Sequence, residues 1–236
     1  MCGRYTLHTE KELLARRFAV PLEQLEGLEP RYNIAPSQAV LVIRGEEQGR
    51  RAEPMRWGLV PRWAHDLSML PTLINARAET LARKPAFRDA FRRRRCLIPA
   101  DGFYEWRAPE GLGRHKIPFW ISLRGGEPFA MAGLWEEWRP PDEGPESPTL
   151  RSCTIVTTEA SSTLRQIHPR MPVVLRPESE ASWLDPELDD PEPLTGLLQP
   201  LEDERLEARP ISRRVNATRN DGPELIDRHE DATLGF

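Results

Sequence analysis

The feature that most restricts the fold is a succession of short apolar runs, each closed before it could complete a useful helix. AVLVIR at 39–44, AEPMRW at 52–57, LIN at 73–75, RCLIPA at 95–100, FYEWR at 103–107, PFWISL at 118–123, FAMAGLW at 129–135 and TIVTT at 154–158 follow one another, most of them bounded by Pro, Gly or Asp. Runs of this length, rich in β-branched and aromatic residues and stopped by turn formers, are strand-and-turn signals. Their succession predicts an α+β protein with a mainly antiparallel, barrel-like core and short helices at its periphery. A first helix is expected after Thr9, which has capping-box spacing to Glu12; Leu13, Leu14 and Phe18 then recur on one face until Pro21 stops it. Further brief helices are expected at 79–81, 86–92, 162–167, 178–183 and 193–198. PPDEGPESP at 140–148 reads as an exposed loop and DPELDDPEP at 185–193 as an acidic surface connection. No repeat or linker interrupts the pattern, and 236 residues suffice for one sizeable core, so residues 1–236 are expected to form one compact domain.

Composition narrows the function classes. The longest apolar runs fall far short of the roughly 20 residues that cross a bilayer. TLHTEKELLARR follows the start where a signal peptide would carry its apolar core, so a cytoplasmic protein is expected. The three cysteines, Cys2, Cys96 and Cys153, are an odd number without CxxC spacing, and the five histidines are scattered. Neither a disulfide framework nor a metal site follows from that pattern, and no cofactor is implied.

Charge is unevenly distributed. Net charge is −4, but residues 74–124 hold twelve Arg or Lys against five Asp or Glu, whereas 176–209 hold three against eleven. Screening confines each charge to about 10 Å at 0.1 M salt, so a local basic footprint could hold phosphate on a slightly acidic molecule. The competing interpretation of RRRR at 92–95 is a solvated helix end placed by the helix dipole.

Cys2 is the first residue with chemistry to explain. Methionine aminopeptidases remove Met1 before a small residue, so the mature chain is expected to begin with a free α-amine beside a thiol. With a reference pKa of about 7.7–8.0, against about 10.4 for lysine, roughly a tenth of such an amine is neutral at pH 7. A 1,2-aminothiol traps an aldehyde twice, through nitrogen as an imine and then through sulfur as a five-membered thiazolidine; an internal cysteine cannot. PLINARAET around Asn75 and Arg77, ADGFYEW around Glu105 and IHPRMP around His168 each set a polar group beside an apolar run, where burial and neighbours shift pKa values. Structural roles remain open at each: Asn75 as a satisfied turn residue, Glu105 as an arginine partner, His168 as a helix end before Pro169. Trp57, Trp63, Phe87, Tyr104 and Trp106 lie among basic residues, and rings interleaved with arginines suit a single-stranded nucleic-acid surface.

MCGRY at the start, RYNIAPSQ at 31–38, WGLVPRWA at 57–64, LINARAET at 73–80, RCLIPADGFYEW at 95–106, IHPRMPVVL at 167–175 and VNATRNDGPELI at 215–226 occur in this order. Together they resemble the signature blocks of the SRAP (SOS-response-associated peptidase) family, over residues 2 to about 227. The resemblance implies a compact α+β domain with a strand-rich core and a basic groove. It also implies a DNA-repair activity: abasic sites in single-stranded DNA are sensed and crosslinked covalently through the N-terminal cysteine. Carried over by position, Cys2 would form the thiazolidine, Asn75 would orient it and polarise the sugar, Glu105 would move protons, and His168 would help open the deoxyribose. Arg4 and Arg77 would hold phosphates, and Asn33, Trp63 and Trp106 would shape the DNA path.

Stacking and backbone tracking would give little sequence specificity. A surface groove needs no second subunit, so a monomer is expected. Two other classes stay open. A peptidase would use Cys2 as sulfur nucleophile with His168 as base and Asn75 as orienter. A non-covalent single-strand binder would leave Cys2 dispensable.

Overall fold

A computed structural model describes residues 2–65, 72–109, 115–140, 144 and 146–229. All but one of the apolar runs lie inside strands. Those strands are β3 (Ala39–Glu46), β4 (Gly49–Trp57), β6 (Arg95–Ala100), β7 (Gly102–Arg107), β8 (Ile117–Leu123), β9 (Phe129–Trp138) and β10 (Leu150–Glu159). The exception, LIN, leads into β5 (Asn75–Arg77). Five further short strands lacked a sequence signal: β1 (Tyr5–Leu7), β2 (Arg31–Ile34), β11 (Arg170–Pro172), β12 (Val174–Leu175) and β13 (Leu206–Pro210). The helices are short and peripheral, as expected: α1 (Lys11–Phe18), α2 (Arg88–Arg93), α3 (Glu180–Leu184) and α4 (Pro191–Gly196). The segment 162–167 shrinks to a 3-10 turn at Leu164–Gln166. Of the loop at 140–148, residues 141–143 and 145 lie outside the described residues.

The strands form a five-stranded sheet in the order β13-β8-β7-β1-β2 and an eight-stranded sheet in the order β11-β10-β4-β3-β6-β9-β12, with β5 beside β10. Most pairings are antiparallel, but β10 runs parallel to β4 and to β5. β9 pairs again with β10, so the path through the larger sheet turns back on itself. It does so through only Ile43↔Leu97 between β3 and β6 and through a two-residue match of β10 with β4, so the expected barrel is not clearly closed. One apolar cluster joins the sheets, drawing Tyr5, Phe103 and Ile121 from the smaller and Val42, Leu97, Met131 and Ile155 from the larger. Val40 to Ile43 are buried without alternation, as a strand covered on both faces requires.

Three local expectations fail for identifiable reasons. Thr9 does not cap α1: its N–H and hydroxyl both go to the buried carboxylate of Asp101, which also accepts from the His8 N–H. Leu14 and Phe18 are buried as the pattern predicts, but Leu13 faces outward. The arginine run divides. Arg92 and Arg93 are exposed, Arg94 pairs with Glu136 at 2.6 Å, and Arg95 is only 4% exposed.

Arg95 donates to the backbone carbonyls of Trp183 (2.6 Å), Phe91 (2.8 Å) and Leu188 (3.0 Å), and to those of Arg92 and Asp185. It thereby satisfies α2's orphan C-terminal carbonyls and draws the acidic connection onto the fold. Burial lowers its pKa to about 10. Arg94 and Arg95 are therefore structural, Arg92 and Arg93 form the solvated basic end of α2, and 185–189 is a tethered segment. Among the described residues no helix is long and apolar enough to cross a membrane, and no group of three His, Cys, Asp or Glu could hold a metal ion.

Candidate active site

The smaller sheet brings the chain start to Glu105. β1 pairs antiparallel with β7 through Tyr5↔Phe103 and Thr6↔Gly102, and the ladder continues as the Tyr104 N–H donates to the Arg4 carbonyl at 2.9 Å. The same register carries residues 2 and 3 alongside 105 and 106. Cys2 is consequently buried, against the looseness usual at a chain start. Its thiol is pushed up by burial first and by the Glu105 carboxylate second, so it is held as S–H at neutral pH.

The larger sheet supplies Asn75. β5 runs parallel to β10 with Asn75 opposite Ile155, Ala76 opposite Val156 and Arg77 opposite Thr157. Side chains alternate along a strand: Ala76 turns into the core, and Asn75 and Arg77 share the opposite face. Asn75 Nδ2 donates to the Cys2 carbonyl at 2.8 Å. Its Oδ1 is buried with no hydrogen-bond partner among the described residues. Since a carbonyl can only accept, the bond to Cys2 also fixes the amide orientation.

Glu105 is 4% exposed, and burial raises its pKa above the usual carboxylate range, with His168 acting in the opposite direction. His168 Nδ1 stands 3.9 Å from Glu105 Oε1. The Arg170 N–H and the Arg170 carbonyl each lie 3.1 Å from the same Nδ1, so the backbone of Arg170 positions the ring in either tautomer. Arg170 also forks onto Glu79 with a shortest separation of 2.5 Å. Arg170 escaped the sequence reading although it lies within IHPRMP, because nothing local marks a backbone N–H as the imidazole's positioner.

Cys2, Asn75, Glu105 and His168 are thus brought together from four separate segments. The remaining candidates surround them unequally. Arg4 is half-buried and its pKa is lowered by burial; Nη1 donates to Asn33 Oδ1 (2.7 Å) and to the Val215 carbonyl (2.8 Å). Its Nε is buried with no hydrogen-bond partner among the described residues.

Asn33 is buried, and its Nδ2 donates to the carbonyls of Val215 (3.2 Å), Ala217 (3.2 Å) and Asn220 (2.7 Å). It lies behind Arg4 and shapes the surface through that segment. Trp106, half-buried, donates from Nε1 to Asn216 Oδ1 at 2.8 Å. Arg77 is exposed.

Trp63 stands apart, 56% exposed on a loop anchored by the bond from Trp138 Nε1 to the Ala64 carbonyl at 2.7 Å. No hydrogen bond or ring contact joins it to the cluster among the described residues; the Leu59↔Leu73 bridge ties its loop to the segment before Asn75. A concavity of about 880 Å³ between the 44–50 hairpin and residues 181–187 includes none of these side chains.

The arrangement joins Cys2, an amide anchored to its carbonyl, a carboxyl held toward its acid form and an imidazole. The SOS response associated peptidase (SRAP) family model matches residues 1–218. Abasic site processing protein YoqW of Bacillus subtilis is 44% identical over 230 residues, covering 97% of this chain and 100% of that protein. Abasic site processing protein YedK of Escherichia coli is 32% identical over 234 residues, covering 96% and 99% respectively. The crystal structure of a protein from Bacteroides thetaiotaomicron superposes with a TM-score of 0.84 at 26% identity, covering 97% of this chain and 100% of that one.

Proposed function

The chain belongs to the SOS response associated peptidase family, and we propose that it processes abasic sites in single-stranded DNA by crosslinking them to Cys2 as a thiazolidine. Its relatives are named for abasic site processing. The observation that carries the chemistry is the setting of Cys2, whose carbonyl is gripped by Asn75 Nδ2 while Asn75 Oδ1 stays unpartnered and Glu105 acts electrostatically on the thiol. An amide so held fixes the residue bearing the nucleophiles and offers an acceptor to a sugar hydroxyl.

In this reading the closed sugar opens first: a proton leaves the hydroxyl on C1′ and one reaches the ring oxygen, with His168 and Glu105 as the acid–base pair. The Cys2 amine adds to the C1′ aldehyde, and the N–H proton passes to oxygen. Glu105, raised by burial toward its protonated form, gives its proton to the leaving hydroxyl, which departs as water. The S–H proton returns Glu105 to its acid form as sulfur attacks the iminium carbon. One water is lost overall and the charges balance. Arg4 and Arg77 would take the flanking phosphates, and Trp106 would offer a ring to a neighbouring base.

The test mixes Met1-processed protein with a single-stranded oligonucleotide carrying one abasic site, followed by denaturing electrophoresis and intact-mass measurement. A Cys2-dependent adduct that survives without reductant, heavier by the oligonucleotide less one water, is expected; Cys2→Ala gives none. Absence of adduct from a verified free Cys2 terminus that still binds the strand would refute the proposal.

A further inference from the structure

Residues 212–220 contain one 3-10 turn, Arg213–Asn216, and no other regular element, yet buried polar side chains hold them firmly. Their carbonyls face inward: Val215 O accepts from Arg4 Nη1 and Asn33 Nδ2, and the carbonyls of Ala217 and Asn220 accept from Asn33 as well. Asn220 Nδ2 closes back on the Arg214 carbonyl at 2.7 Å, and Ser212 Oγ accepts from the Arg214 N–H at 3.3 Å. Val215 is buried. The backbone is therefore a rigid strap, pinned to residue 4 beside Cys2 and, through Asn216, to Trp106 beside Glu105.

The outward face of the strap is basic. From 211 to 219 the sequence ISRRVNATR carries three arginines and no acidic residue. Arg213 and Arg219 are exposed and form no ion pair among the described residues, whereas Arg214 leans on Glu224 at 3.3 Å. Arginines at other edges of the fold are engaged: Arg17 and Arg50 on Glu180, Arg44 and Arg151 on Glu53. Uncommitted guanidinium groups on a fixed backbone are phosphate contacts prepared in advance, because little order has to be created when an oxyanion arrives.

We infer that residues 212–219 form a phosphate-binding strap on which Arg213 and Arg219 hold the backbone of the single strand that enters over Trp106. The inference rests on the proposed function for the identity of the strand. The strap contributes affinity without sequence preference, and Asn216 keeps the Trp106 ring in register with it.

The experiment measures binding of a fluorescently labelled, undamaged single-stranded oligonucleotide by anisotropy across about 0.05 to 0.3 M salt. It compares wild type with Arg213→Gln/Arg219→Gln and with Arg92→Gln/Arg93→Gln, which removes the same charge from the exposed end of α2. Loss of two phosphate contacts on a single strand lowers the slope of log K against log salt by about 1.4, a loss of about 25-fold at 0.1 M relative to 1 M. The strap variant is expected to show that loss and the α2 variant a smaller one. An unchanged slope in the strap variant, an equal loss in the α2 variant, or no binding by wild type overturns the strap. Crosslinking of an abasic oligonucleotide by wild type, run alongside, reports separately on the proposed function: a shallower slope without any crosslink would leave the strap standing and remove the chemistry.

Discussion

Replacing Asn33 with alanine removes a buried amide that makes one bond to a charged donor and three to strap carbonyls. The bond from Arg4 at 2.7 Å is charge-assisted and worth about 2 kcal/mol, and the amide's two hydrogens add about 1 kcal/mol each however the three acceptors share them. Water can reach part of this rim and recovers some of that total, so the net loss is expected to be about 3 kcal/mol. For a chain of this size such a loss lowers Tm by roughly 6–12 °C. The assay is urea unfolding combined with amide hydrogen exchange: the midpoint falls, and protection of the 213–221 amides collapses before that of the strands. Asn33→Asp keeps the acceptor for Arg4 and loses the donors, so it should free the strap while retaining Arg4's bond. A loss below about 1 kcal/mol, with exchange at 213–221 unchanged, would refute the view that Asn33 is the strap's anchor.

Gly102→Ala would place a Cβ 2.5 Å from the ring of Trp120, which is 7% exposed and bonded to Thr6, so a destabilisation of about 1–3 kcal/mol is expected in thermal melts, with a change in tryptophan emission. Glu105→Gln tests the buried carboxyl twice. Because the folded pKa is raised, wild type carries that stability fully below the unfolded carboxylate range near about 4.3 and loses it as pH rises through the folded value. The variant should therefore gain in urea midpoint over wild type with increasing pH, while its crosslinking slows by about 10²- to 10⁴-fold; a pH-independent difference would contradict the raised pKa.

What the sequence reveals depends on whether the deciding interaction is local. RCLIPA coincides with β6 because both its ends are marked, by the arginine run before it and by Asp101–Gly102 after it. YTL and RYNI give no comparable signal: each is short, and each is made a strand by partners far away, β7 for one and β1 for the other. The capping box at Thr9 has the right spacing, but Asp101, ninety-two positions away, takes the hydroxyl.

Arg95 is indistinguishable in sequence from its three neighbours; burial among carbonyls from α2 and the 183–188 segment separates it from them. The candidate site was legible as residue types in ordered blocks, and Cys2, Asn75, Glu105 and His168 do converge. The parallel ladder that aims Asn75 and the β1–β7 register that carries residues 2 and 3 alongside 105 and 106 were not legible, since both are pairings across the fold. The late block VNATRNDG was visible as a motif, but its carbonyls carry the structural role, and backbone groups have no letter in a sequence.

The state of the Cys2 thiol bears on the order of bond formation. A cysteine peptidase begins with a thiolate, which calls for a lowered pKa from a cation or a helix N-terminus. Here burial and the Glu105 carboxylate both act the other way, so sulfur is a poor first nucleophile. A terminal α-amine, with a reference pKa of about 7.7–8.0, keeps a usable neutral fraction at pH 7 and can make the first bond. In the proposed capture, once nitrogen has bonded to C1′ and water has left, the electrophilic carbon would be tethered to the same residue as the thiol, and effective molarities of about 10⁵ M or more would compensate for a small thiolate fraction. In the same proposal Glu105, having given its proton to the departing water, would be the carboxylate to take the thiol's. Burial that would handicap a sulfur-first peptidase thus suits a nitrogen-first, sulfur-second capture. It also suits reversal, because sulfur leaves as a thiol when the same buried acid returns its proton.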